Sequence, residues 1–270
     1  VRIAIDIRRI GVDTYTGKVI CTLAAVLLLA SFSLAGQQAQ SPSKTKPAGS
    51  FDTPIKKVTV DFGLSTEPEK RHVLVCHYYP HLLVKEYAPY GIGTDWLSML
   101  RSRDKLPACK RSHERGERII KYPEWDGFFK GVKDHLVFFD AANPFNGGYS
   151  FVIYDSVTGK RLFEDTAYYE HDSSRVRVFS TKAGYLLRYL RVDNVDCNLH
   201  ADARPCWKKV IAKHALKTDK MPVCTGYDYI AKLVGTDKVP SRVAYPVEVT
   251  LSAHPTIRAV AGPVKCWPQQ

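Results

Sequence analysis

The sequence predicts a mainly β fold: a β-rich α+β chain whose antiparallel sheet or sandwich carries two short helices in the C-terminal third and is stapled by disulfides. Three observations carry this prediction. From Ile55 onward, short runs rich in Val, Ile, Tyr and Phe are separated by Gly, Pro, Asn and Asp, the pattern of strands and turns. Two stretches after residue 200 instead show helical periodicity. Of the seven cysteines, the six beyond Cys21 (Cys76, Cys109, Cys197, Cys206, Cys224 and Cys266) follow an apolar export-like segment, which argues for three disulfides.

In chain order, strands are expected over Lys57 to Phe62, His72 to Tyr79, Leu82 to Tyr87, Arg118 to Tyr122, His135 to Asp140, Ser150 to Tyr154 and Arg161 to Glu164. Further strands are expected over Arg175 to Ser180, Tyr185 to Asp193, Arg242 to Leu251 and Ile257 to Val260. Two β-prone runs flank Asp155-Ser-Val-Thr-Gly159, and Gly159 can take the left-handed conformation that closes a bulged hairpin. In Pro205 to Leu216, Trp207, Val210, Ile211 and His214 recur on one helical face, with Pro205 suited to a first turn. Tyr227, Ile230, Ala231 and Val234 predict a second helix, ended by Gly235.

The N-terminal part reads as an address. The run Val19 to Gly36 is uncharged and apolar, is preceded by Arg8, Arg9 and Lys18, and ends in the small residues Ser33 and Ala35, the layout of a signal peptide. It is also near the lower length limit of a membrane span, so an uncleaved anchor is the alternative, with the later residues outside in either case. The expected organisation is therefore residues 1–35 as signal peptide or anchor, 36–54 as a disordered linker poor in apolar side chains, and 55–270 as one β-rich globular domain. Localisation is expected to be periplasmic or extracellular.

The chain carries a net charge of +12, and removing residues 1–35 takes away four basic and two acidic residues, leaving +10. That sign favours acidic partners such as anionic lipid headgroups, cell-wall polymers or nucleic acid, and the partner expected is an anionic envelope component or a carbohydrate. The densest basic stretch, Arg101 to Lys121, has no aromatic residue between Arg101 and Ile120 for base stacking, so it reads as a solvated loop and no specific nucleic-acid partner is expected. A membrane enters only through an uncleaved N-terminal segment.

The hairpin Tyr154-Asp-x-x-Thr-Gly-Lys160 resembles blade hairpins of quinoprotein-like β-propellers, whose fold repeats such a unit; here it occurs once. In general type the chain resembles the uncharacterised exported proteins of bacteria, which implies an envelope setting and no particular activity.

Candidate site residues come from three clusters. On an extended strand His77, Tyr79 and His81 share one face, where two imidazoles can hold a metal or relay a proton, although Pro80 disturbs the pairing. Trp125 and Asp126, in Trp125-Asp-Gly-Phe-Phe129, and the run Tyr168-Tyr-Glu-His-Asp172 combine aromatic rings with carboxylates, a pairing suited to sugars. Cys197, His200, Cys206 and His214 are a possible zinc set, but no C-x2-C knuckle is present. Asp140 to Gly148 is oxygen-rich but does not match a calcium loop. No metal and no cofactor are therefore expected. Among the possible pairings, Cys197 with Cys206 is the one favoured by the short loop between them.

Gly-x-Ser-x-Gly, His-Glu-x-x-His and a glycine-rich phosphate loop are absent, and the Ser-x-x-Lys spacing at Ser41 to Lys44 lies in the linker. The expectation is a binding or structural module of the envelope. A secreted hydrolase acting on carbohydrate or cell-wall material is the alternative, and a metal-binding protein centred on His77 and His81 a third reading.

Overall fold

Two antiparallel sheets form the body of the chain. The structure, a computed structural model, describes residues 49–64, 71–89, 93–144, 147–170 and 173–269. The expected signal peptide or anchor and most of the expected linker lie outside these residues. The linker's end does not: Asp52 N–H donates to Val132 O at 2.7 Å, and Phe51 packs edge-on against Phe138 with centroids 5.0 Å apart. The aromatic ring in this otherwise polar stretch has a core to enter, so ordered chain begins before residue 55.

The first sheet is a meander of β1 (Lys56–Leu64), β2 (Arg71–Tyr79), β3 (Leu82–Tyr87), β4 (Trp96–Arg101) and β5 (Arg118–Ile120), paired in that order. Its central strand β3 is buried along its whole length, because both faces of the sheet are covered. Leu82 and Val84 face the second sheet, while Leu83 and Tyr87 face the loop that follows β4. β4 was not anticipated. Its apolar pattern is broken by Ser98, which turns out to serve a buried charge.

The second sheet contains β6 (Gly127–Lys133), β7 (Leu136–Ala141), β8 (Gly148–Asp155), β9 (Arg161–Glu170), β10 (Ser173–Ser174), β11 (Arg177–Thr181) and β12 (Gly184–Asn194). After the helices α1 (Ala203–His214) and α2 (Tyr227–Val234) it is completed by β13 (Ser241–Leu251), β14 (Thr256–Ala259) and β15 (Lys265–Pro268). Strand order is β14-β13-β12-β9-β8-β7-β6. β11 and β9 share one edge of β12, and β14 and β15 follow one another along the free edge of β13. β7 and β8 are apolar on both faces, as a doubly covered strand must be. Val137, Phe139 and Val152 meet the first sheet, and Leu136, Phe138 and Phe151 enter a second core with Leu187, Val243 and Val249.

The hairpin between β8 and β9 closes as expected, with Gly159 at φ +70° and its N–H on Asp155 O at 2.8 Å. Both helices form where the periodicity places them. Trp207 and Val210 bury the apolar face of α1, and Gly235 ends α2 at φ +76° with its N–H on Ala231 O. Three disulfides are present: Cys76 with Cys109, Cys197 with Cys206 as expected, and Cys224 with Cys266. They suit an oxidising, exported environment. The sulfurs of Cys197 and Cys206 are bonded to each other, so the zinc set does not form. Among the described residues no helix is long and apolar enough to cross a membrane.

Candidate functional site

The first candidate cluster is divided by the turn that follows it. Pro80 and His81 are the two loop residues between the paired Tyr79 and Leu82, and His81 takes φ +63° and points into solvent. His77 and Tyr79 remain on the inner face of β2, 8% and 4% exposed. The shared three-residue face does not exist. His77 Nε2 instead lies 3.0 Å from Glu86 Oε2, and Glu86 Oε1 accepts the Phe129 N–H at 2.7 Å. Glu86 thus clasps the first sheet to β6, an edge strand whose outward N–H would otherwise lack a partner in the interface. Burial, with Asp52 and Glu86 nearby, pushes the Tyr79 phenol up to about 12.

Trp125 is likewise used for packing. It is 9% exposed and belongs to the core between the sheets. Asp126 sits against Gly93, where a Cβ would fall 1.9 Å from its Oδ1. These two residues offer no open aromatic face to a sugar.

The basic loop after β4 is solvated along most of its length, as expected, yet it is anchored at three points. Cys109 is bonded to Cys76 of β2. Lys85 Nζ donates to Ser112 O at 2.9 Å and Lys110 O at 3.3 Å. The same ammonium lies 2.9 Å from Glu117 Oε1, both side chains being almost fully buried. Burial alone would raise the Glu117 carboxyl, but hydrogen bonds from Ser98, Lys85, the Glu114 N–H and His113 outweigh it and hold it below the ordinary carboxylate range.

A second polar network lies where β9 meets β12, which share the single register pair Arg191 and Ala167. There Asp165 accepts from Tyr189 and from Arg191 Nε, and Asp193 accepts from Tyr245, whose hydroxyl lies 3.0 Å from His214 Nδ1. Burial lowers the His214 imidazole below its usual value, against the opposing pull of Asp193. Side-chain bonds here tie the two strands where ladder bonds are few.

The accessible candidate is a cleft of about 620 Å³ beside β9 and β15. Tyr168 and Tyr169 lie near the end of β9, just before Glu170, and strand alternation turns Lys265 and Trp267 outward while Cys266 and Pro268 point in. Tyr168 and Trp267 are edge-to-face with centroids 5.5 Å apart, and Lys265 Nζ sits 4.1 Å from the Tyr168 ring centroid. The Cys224–Cys266 bond draws residues 223–225 alongside β15, so that Val223 and Thr225 form the opposite wall. Gly147 permits close approach at the floor, since a Cβ there would lie 2.9 Å from the Trp267 ring.

Tyr168 and Tyr169 belong to the second aromatic cluster seen in the sequence; the side chains of Glu170, His171 and Asp172 lie outside the described residues. Trp267, Lys265 and Gly147 were missed, because only the fold joins positions so distant along the chain. Aromatic faces carry negative charge, on which the weakly positive C–H groups of a sugar ring pack, while Lys265 can donate to hydroxyl or acidic groups. No carboxylate is among the described residues lining the cleft. Among the described residues, no three His, Cys, Asp or Glu side chains converge as a metal site. Compared with protein-family models, with curated proteins and with solved structures, the chain matches none.

Proposed function

We propose that this chain is an exported, disulfide-stapled binding module of a bacterial-type envelope, and that its ligand is a carbohydrate held in the cleft lined by Tyr168 and Trp267. The observation that carries this reading is the cleft itself, an open concavity of about 620 Å³ in which two tyrosines, a tryptophan and a lysine converge. Its volume is within the usual range of ligand sites. Export is supported by the three disulfides and by the apolar run at Val19 to Gly36 with its basic flank. The ion pairs of Lys85 with Glu117 and of Asp165 with Arg191 hold the fold together.

The test is calorimetric titration of the purified protein with neutral and acidic oligosaccharides of cell-wall type. Saturable binding that falls about tenfold in Trp267→Ala, the loss expected of one stacked ring, supports the reading. Binding unaffected by Trp267→Ala, or none at all, overturns it. Release of reducing ends during incubation replaces it with the hydrolase reading.

A further inference from the structure

We infer that the ligand is an acidic glycan, and that the groove on the other side of Tyr168 is the subsite for its anionic groups. This rests on the carbohydrate reading of the cleft. The groove, about 300 Å³, has Tyr168 as one wall and Arg175, Arg177 and Arg188 along another, over an apolar floor that includes Leu190 and Pro246. Tyr168 is therefore common to both concavities, so a ligand laid across it touches the aromatic cleft and the arginines together.

Strand register explains the arginines. Arg177 of β11 stands opposite Arg188 of β12, Arg188 opposite Glu248 of β13, and Glu248 opposite Arg258 of β14. Residues directly opposite share a face, so four side chains form one row across four strands. Glu248, 7% exposed, accepts from Arg188 Nε at 2.8 Å and from Arg258. These bonds, outweighing the effect of burial, hold its carboxyl below the ordinary range. One carboxylate thus bonds two of the three guanidiniums in the row, which keeps two positive charges in excess.

Like charges directly opposite on a sheet are destabilising. Arg177 and Arg188 are such a pair, and among the described residues no carboxylate pairs with Arg177. An anion placed between them removes the repulsion and accepts forked hydrogen bonds, the geometry at which guanidinium excels. Lys265, on the far side of Tyr168, continues the positive lining into the aromatic cleft. The chemistry that fits is a saccharide with rings on Tyr168 and Trp267 and a carboxylate or phosphate at the arginines.

The experiment titrates the full chain with pairs of oligosaccharides: uronic-acid oligomers against their methyl esters, and phosphate-bearing oligomers against their dephosphorylated forms. An anionic member that binds at least tenfold more tightly than its neutral partner, weakens with added salt, and loses about tenfold in Arg177→Gln but not in its neutral partner's titration supports the inference. In Trp267→Ala both members should weaken. Equal binding of the two members, still sensitive to Trp267→Ala, overturns the anion subsite and leaves the carbohydrate reading standing. Anionic binding that depends on Arg177 but not on Trp267 overturns the single combined site. If neither member of any pair binds, both readings fail, and binding of phosphatidylglycerol vesicles alone would assign the arginines to a membrane surface instead. Circular dichroism of Arg177→Gln, an exposed position, separates a lost contact from a lost fold.

Discussion

Replacing Lys85 with methionine should destabilise the domain by about 3 kcal/mol at pH 7. Lys85 and Glu117 have side chains only 2% and 0% exposed and lie 2.9 Å apart. Removing one partner of a buried pair costs about 3 to 5 kcal/mol, because the remaining charge stays buried. Ser98, the Glu114 N–H and His113 still contact the carboxylate, which places the cost at the low end. For a domain of this size the melting temperature should fall by about 6 to 12 °C.

The pH dependence sharpens the prediction. In the wild type the Glu117 carboxyl is held below 4.5, so its contribution is fully present above that pH and is lost as pH falls through the lower folded value. Without Lys85 one of the four groups that oppose burial is gone, so the carboxyl rises relative to its wild-type value. The variant then gains relative stability as pH falls, and the gap to wild type should narrow toward pH 4. Lys85 also fixes the carbonyls of Lys110 and Ser112, so trypsin should cut the variant's loop faster at Arg103, Lys105 or Arg115. Urea denaturation from pH 4 to 8 is the assay. A variant within about 0.5 kcal/mol of wild type at pH 7, or a gap that widens in acid, would refute the reasoning.

Glu86→Ala strands both the Phe129 N–H and His77 and should cost about 2 to 3 kcal/mol, whereas Glu86→Gln keeps an acceptor for Phe129 and should cost less; equal losses in urea denaturation would contradict the clasp. Removing the Cys76–Cys109 bond by double alanine substitution opens a closure with sequence separation 33, for which chain entropy gives up to about 3.7 kcal/mol. Thiol titration of the denatured, unreduced protein should find Cys76, Cys109, Cys197, Cys206, Cys224 and Cys266 all unreactive, and free thiol at any of them would break the framework. The His214 imidazole, depressed by burial, should titrate below 6.5 by NMR; stability it contributes is then present above that pH and lost as acid protonates the folded state, and a value above 6.5 would refute the placement.

What the sequence made legible was local. β3 was bounded at Leu82 and Tyr87 because its apolar run ends in turn residues, and the β8–β9 hairpin followed from Gly159. The helices followed from the spacing of Trp207 with Val210 and of Tyr227 with Ile230. β6 was missed because Gly127 and Gly131 interrupt its apolar pattern, both set against close neighbours, Asp140 O and the Phe51 ring, while Trp125 to Phe129 stood out only for its aromatic rings and carboxylate. The shared face of His77, Tyr79 and His81 was inferred by extending the strand two residues too far, into a turn in which Pro80 fixes the backbone. The cleft was half legible. Tyr168 and Tyr169 stood out as an aromatic pair, but Trp267 reaches them only because β15 docks on β13 and Cys266 is bonded to Cys224. The arginine row was hidden for the same reason: its members come from four strands, and only register aligns them.

The most direct test is the affinity of wild type and Trp267→Ala for the same cell-wall-type oligosaccharides, measured by calorimetry. Saturable binding that weakens about tenfold on loss of the indole is the predicted result. Equal affinities in the two proteins, with Trp267→Ala folded, would show that the cleft lined by Tyr168 and Trp267 is not where the ligand lies.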